Sequence, residues 1–277
     1  MTGGPHFDVS VLTTAYLPPV EYFFAVAHSD RVLVEAHEAY QKQSWRNRCR
    51  ILATAGPEDL SIPVVKEERL SRPIRDIRID YGEPWLQHHI RAFAAAYNHS
   101  AFYDYYADDL IPILESKPAF LFDLNQSLLE KLMALLGLNV PVSLTESFEA
   151  SLRSDIPLPS QKKSSSNGIS PAQLSPVSVE EKNVLRGPGG EATVLQGEMP
   201  RALEVLASRE RDVFFFDGRE RIQPKYKGES LLAEFGCEQA YYQVFVNQAP
   251  GAGFIPNLSI LDLLSAEGPD AGRFLRI

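Results

Sequence analysis

Residues 9–38 change character twice in a fixed order, and no other stretch restricts the fold as much. VSVLTTA is a short apolar run rich in β-branched residues, and it breaks at Pro18-Pro19. VEYFFAVAHSD follows with helical spacing, Tyr22 and Val26 on one face and positions 23 and 27 on the next. RVLVEAHE then returns to alternation, with Val32, Val34 and Ala36 on one side and Leu33, Glu35 and His37 on the other. Strand, helix, strand is the signature of a βαβ unit, which needs a parallel sheet. The expected fold class is therefore α/β: a Rossmann-like mixed, largely parallel sheet flanked by helices.

The rest of the chain supplies more elements of both kinds. RCRILATAGPEDLSIPVV reads as two strands joined by a turn at Gly56-Pro57, and IRDIRID as a further alternating strand. Pro84 suits the first turn of a helix running to about Tyr97, with Leu86, Ile90, Phe93 and Tyr97 in one stripe. AFYDYYADDLIPIL and AFLFDLNQSLLEKLMALLG are helical, the second stopping at Gly137, where a left-handed cap costs least. PRALEVLASRERD reads as a helix, VFFFD and QAYYQVFV as strands. NLSILDLLSAEG reads as a closing helix capped by Asn257.

One segment breaks this pattern. Residues 157–178 hold seven Ser and four Pro, and no aromatic occurs from 149 to 213. Such composition buries too little apolar surface to offset the entropy of ordering, so 155–196 reads as a disordered insertion. It divides an α/β part, 1–150, from a C-terminal part, 198–277, that completes the same domain or forms a small second lobe.

The basic run YQKQSWRNRCRI carries the clearest chemical signal. A chain of formal net charge −9 places Lys42, Arg46, Arg48 and Arg50 within nine positions, with no acid between them. As an extended segment or as a helix, the run puts Lys42, Arg46 and Arg50 on one surface. Guanidinium forks bind phosphate or carboxylate in a bidentate manner, so the expected ligand is a small anion. The structural alternative pairs Arg48 and Arg50 with Glu58, Asp59, Glu67 or Glu68, which leaves Lys42 and Arg46 as the stronger ligand candidates. The same acidic balance excludes nucleic-acid binding, which needs a basic face rather than one basic run.

Two histidines are candidates for proton transfer. His37 lies two positions from Glu35 on the second strand, close enough for the carboxylate to orient its ring. His89 sits at the edge of the apolar stripe of its helix, whereas His88 points nearly opposite. In TTAYLPPVEYF, Thr14 and Tyr16 occupy the strand exit where an α/β fold presents helix amides to ligands. No GxGxxG or GxxxxGK[ST] pattern occurs, so no standard dinucleotide or ATP loop is expected and the cofactor is unknown. No HxxxH or HExxH spacing suggests a metal, and Cys49 and Cys237 read as small buried hydrophobes. RIQPKYKGE adds a second local group of cations at Arg221, Lys225 and Lys227. No run reaches the length of a membrane span and MTGGPHFDVS lacks a signal pattern, so a cytoplasmic protein is expected.

In order, AYLPPVEYF, VEAHEAYQKQSWRNRC, DLSIPV, IRDIRIDY and WLQHHIRAFAAAYNHSAFYDYY resemble the WbqC-like protein family. YYQVF and GFIPNLSILDLLSAEGP resemble the C-terminal signature of its Bacteroidetes branch. The resemblance spans about residues 8–148 and 200–270, and its motif covers Tyr16, Pro18, Tyr22, Tyr40, Gln41, Lys42, Arg46, Asn47, Arg48 and His89. The family takes its name from bacterial surface-polysaccharide gene clusters. The resemblance implies a bacterial protein acting on a sugar nucleotide or another activated precursor. Joined to the basic run, it leads to the expectation of a transferase acting on a phosphorylated or nucleotide-linked sugar precursor, with a non-catalytic carbohydrate-precursor binding or scaffold protein as the alternative. In that reading Tyr16, Gln41, Lys42, Arg46, Asn47 and Arg48 hold the substrate and His37 or His89 moves the proton. A homodimer is left open as the assembly.

Overall fold

The computed structural model describes residues 5–66, 72–146, 214–246 and 253–276, and the backbone of 178–180, 184–186 and 192–194. Strand β1 (Val9–Thr13) is buried at every position, as a strand with neighbours on both edges and cover on both faces must be. The helix α1 (Val20–Ala27) carries the chain across to β2 (Val32–Glu35), which pairs with β1 in parallel. Beyond β2 lies β5 (Val142–Leu144), and on the far side of β1 lies β9 (Phe215–Asp217). The order is β5-β2-β1-β9 with every pair parallel, so the expected parallel α/β sheet is present. Its β9 edge comes from beyond the 155–196 segment.

The other strands form separate ladders. β3 (Arg48–Ala53) and β4 (Gly56–Ser61) make an antiparallel hairpin in which Ala53 faces Gly56. Its turn is therefore Thr54-Ala55, two residues before the expected place. Gly56 sits at φ +116°, a conformation that excludes a side chain. IRDIRID is not a strand: Ile74–Asp76 is a 3-10 turn, followed by single bridges from Arg78 to Phe120 and Ile79 to Val64. Ile74 and Ile77, both buried, lie three apart, which is the period of that turn.

Within 155–196 the described residues form β6 (Ser178–Glu180), β7 (Val184–Arg186) and β8 (Ala192–Val194), paired antiparallel. The remainder of that segment, and the helix expected over 200–212, lie outside the described residues.

Helices α2 (Trp85–Tyr97), α3 (Tyr103–Glu115) and α4 (Leu121–Leu135) follow the hairpin. Gly137 takes φ +63° at the end of α4, and the Leu138 amide reaches back to the Met133 carbonyl at 2.9 Å. This is the left-handed stop that the sequence signals. Three short helices close the chain: α5 (Leu231–Glu234), α6 (Ile260–Glu267) and α7 (Ala271–Phe274). No helix among the described residues is long and apolar enough to cross a membrane.

Two C-terminal expectations are corrected. QAYYQVFV forms no strand, because the Gln243 side chain takes the place of a pairing partner. Its Nε2 donates to the Ile255 carbonyl at 2.8 Å and its Oε1 accepts the Ile255 amide at 3.0 Å. Ser259, not Asn257, caps α6 through its hydroxyl. Asn257 stands at φ +55°, and its Oδ1 accepts the Glu21 amide at 3.1 Å, so it caps α1 across the interior. Since α1 begins after Pro19 and has no side-chain cap of its own, the C-terminal segment supplies one.

Candidate ligand-binding site

Open α/β sheets place ligands at the carboxyl ends of their strands. Here those ends are occupied by the protein's own ion pairs. Glu35 ends β2 fully buried; its Oε2 accepts Arg219 Nη1 at 3.1 Å and its Oε1 accepts the Thr145 hydroxyl at 2.9 Å. Arg219 also grips Asp217 at the end of β9, with Nε to Oδ1 at 2.9 Å and Nη2 to Oδ2 at 2.6 Å. Glu35, Thr145 and Arg219 come from three parts of the chain far apart in sequence. Removing one member would strand a buried charge, so the cluster fixes the sheet's end rather than receiving a ligand.

His37 belongs to this closed region. Its backbone amide, not its ring, bonds Glu35 Oε1 at 2.8 Å. The ring Nε2 lies 3.1 Å from the Thr145 carbonyl. The expected carboxylate–imidazole pair therefore does not form, because β2 stops at Glu35 and the chain leaves strand geometry before His37.

The basic run is divided rather than gathered on one surface. Residues 42–47 form an irregular turn with Gln43 at φ +57°, and that break cancels either periodicity. Arg46 turns inward at 0% exposure. Its Nε donates to Glu38 Oε1 at 2.8 Å, its Nη2 engages Glu38 Oε2, and its Nη1 reaches Gln41 Oε1 at 3.4 Å. Burial pushes the Glu38 carboxyl upward while Arg46 pulls it down. The Arg46 fork expected for phosphate is thus filled by a carboxylate, with Gln41 beside it. Arg48 and Arg50 lie on one face of β3 and share Asp59: Arg48 Nη1 to Oδ2 at 3.2 Å, Arg50 Nε to Oδ1 at 2.7 Å. Asp59 thus bridges the two guanidinium groups, while Glu58 sits beside it on β4.

The open feature lies beside that turn. A concavity of about 640 Å³ is bounded by the 40–48 turn, the hairpin and the start of α2, and its wall includes Lys42, Asn47, Arg48, Trp85, His88 and His89. Lys42 is exposed, and no salt bridge reaches its ammonium among the described residues. Asn47 donates from Nδ2 to the Ile62 carbonyl at 2.7 Å, while its buried Oδ1 has no hydrogen-bond partner among the described residues. Trp85 Nε1 is likewise buried without one. Asp59 and Glu83 also border the space.

His89 is 1% exposed and Tyr16, at 0%, lies behind it, its hydroxyl 3.0 Å from His89 Nδ1. Burial first, and the neighbouring His88 second, lower the imidazole from 6.5 to about 4, against a raising hydrogen bond to the Ser61 backbone. The Tyr16 hydroxyl proton lies within reach of Nδ1, and the tautomer of the ring decides which of the two groups donates. Burial raises the Tyr16 phenol well above its usual range, which keeps that proton in place.

Of the expected site residues, Lys42, Asn47, Arg48 and His89 meet at the concavity, with Tyr16 behind them. Arg46, Gln41 and His37 do not line it. Trp85 and His88 were missed. Their signal was positional, since Trp85, His88 and His89 share the first turns of α2 in PWLQHH.

A family model described as the WbqC-like protein family matches residues 14–166. An uncharacterized protein of Mycobacterium tuberculosis is 32% identical over 142 residues, which cover 51% of this chain and 61% of that relative. The match thus spans about three fifths of the relative's length. No solved structure matches the chain.

Proposed function

The chain belongs to the WbqC-like protein family, and from that premise we propose that the concavity binds a phosphorylated or nucleotide-linked sugar precursor of bacterial surface polysaccharide in the cytoplasm. One observation carries this reading: Lys42, which no salt bridge reaches among the described residues, and Arg48 border the same space as Trp85. Cations suit the phosphate, and an indole beside them suits the sugar or base. The volume falls within the usual range for small-molecule sites. Titrating nucleotide sugars and sugar phosphates while following tryptophan fluorescence tests it directly. Trp85 is one of only two tryptophans, so a Trp45→Phe variant reports on the site alone.

Group transfer is the second reading, and His89 is the observation behind it. A ring that stays neutral down to about pH 4 is in the form a general base needs. Its Nδ1 is engaged by the Tyr16 hydroxyl and the ring is almost wholly buried, however, so transfer requires the ring to move toward the concavity. Recognition of the precursor needs no such rearrangement and is the reading the geometry supports best. Turnover of a bound nucleotide sugar that disappears in His89→Gln, with binding retained, would make the protein a transferase.

A further inference from the structure

At the amino end of β1, far along the sheet axis from Glu35 and Arg219, three side chains of metal-binding type converge. His6 and Asp8 flank the buried Phe7, which makes a single parallel bridge to Ser29. Phe7 is clamped to the α1–β2 turn: its amide donates to the His28 carbonyl at 2.8 Å, and its carbonyl accepts the Asp30 amide at 2.9 Å. That pairing brings Asp30 against the other two. The candidate donor atoms of His6, Asp8 and Asp30 all lie within 4.8 Å of one another, with His6 Nε2 3.5 Å from Asp30 Oδ2.

We infer that His6, Asp8 and Asp30 form a site for a divalent transition-metal ion of the Zn²⁺ class. Bonds of about 2.0–2.1 Å in a tetrahedron set neighbouring ligand atoms roughly 3.3 Å apart. The His6–Asp30 separation is already close to that edge, and small side-chain rotations close the rest. One imidazole with two carboxylates selects Zn²⁺, Mn²⁺ or Fe²⁺ over the oxygen-only preferences of Ca²⁺ and Mg²⁺. The Asp8 carboxylate is 3% exposed, and the Phe214 amide donates to its Oδ2 at 2.8 Å, an outer contact of the kind that orients a metal ligand. Three protein ligands leave a coordination position open, so the site ties β1, the α1–β2 turn and the start of β9 together and can take an exogenous fourth ligand.

The probe is Zn²⁺ added to the untagged full-length chain after chelation, with Mg²⁺ and Ca²⁺ as controls. One equivalent should bind, and at about a hundredfold excess over Kd the melting temperature should rise by roughly 5 °C. His6→Gln and Asp30→Asn should each weaken uptake by at least about tenfold while melting like wild type without metal, since both side chains are more than half exposed. Asp30→Glu, which keeps the carboxylate, should retain part of the affinity and separates loss of a ligand from loss of fold. No saturable Zn²⁺ uptake by wild type, or wild-type affinity in the His6→Gln/Asp30→Asn double variant, overturns the inference. In that event His6 and Asp30 form a surface ion pair only.

Discussion

The Tyr16 hydroxyl lies 3.0 Å from Nδ1 of His89, joining the loop after β1 to the first turns of α2 behind the concavity. Because the buried ring resists protonation until about pH 4 while the unfolded chain takes a proton near 6.5, the unfolded state binds more protons between those values. This contribution is complete above about pH 6.5 and falls as the pH drops toward 4, by on the order of 3 kcal/mol in all. His89→Gln should therefore lose less stability than wild type between pH 7 and pH 5, as read by chemical denaturation. Parallel profiles would show that the imidazole is not shielded.

Asp262 has the opposite sign. Burial raises its carboxyl from 3.8 to about 6, partly offset by hydrogen bonds from Tyr241, at 2.7 Å, and Gln243. Between those values the native state holds a proton that the unfolded chain has released, so this term stabilises below about pH 4 and is lost as the pH rises through 6. Asp262→Asn keeps an oxygen for Tyr241 and removes the buried charge. It should stabilise the protein at pH 8 by roughly 1–3 kcal/mol, and the gain should vanish near pH 4.

Lys42 and Arg46 stand four positions apart and should fail in different ways. Arg46→Ala leaves the Glu38 carboxylate buried without its partner, and a loss of about 3–5 kcal/mol is expected. Lys42→Ala touches an exposed side chain that no salt bridge reaches among the described residues, and it should change stability by less than about 0.5 kcal/mol. Equilibrium unfolding of the two variants separates them; equal losses would mean the run acts as one structural unit.

Asn257 makes a third contrast. Asn257→Gly keeps the positive φ but removes the cap on α1, for about 1 kcal/mol. Asn257→Ala removes the cap and also forces a Cβ into that conformation, adding roughly 1 kcal/mol or more. Glycine and alanine variants of equal stability would show that the backbone is not held at that angle.

These contrasts show where the sequence could be read and where it could not. The βαβ opening was legible because a short run rich in β-branched residues, VSVLT, stands before a helical period and a second alternating run. Gly137 was legible because one backbone conformation demands it. The basic run was not, since a single residue, Gln43, in a left-handed conformation turns Arg46 inward and leaves Lys42 outside. Nothing in the spacing of QKQSWRNR marks that turn. IRDIRID fits a strand by alternation and a 3-10 turn by the Ile74–Ile77 interval, and only packing decides between them. The expectation of no metal was drawn from HxxxH, HExxH, CxxC and Asp/Glu/His spacings along the chain, whereas Asp30 meets His6 and Asp8 only through tertiary contact. Asn257 carried a capping signal that was real but served α1, not the helix beside it in sequence.

The account turns on what occupies the space in front of Lys42 and Arg48. Calorimetric titration of wild type and of Lys42→Ala/Arg48→Ala with a uridine-diphosphate sugar and a hexose phosphate measures it most directly. We expect saturable binding to wild type by at least one of the two, weakened by about tenfold or more in the double variant, a difference of roughly 1.4 kcal/mol, with the fold intact. Absence of binding to wild type, or equal affinity in both proteins, would contradict the assignment of the concavity as a phosphate-directed sugar site.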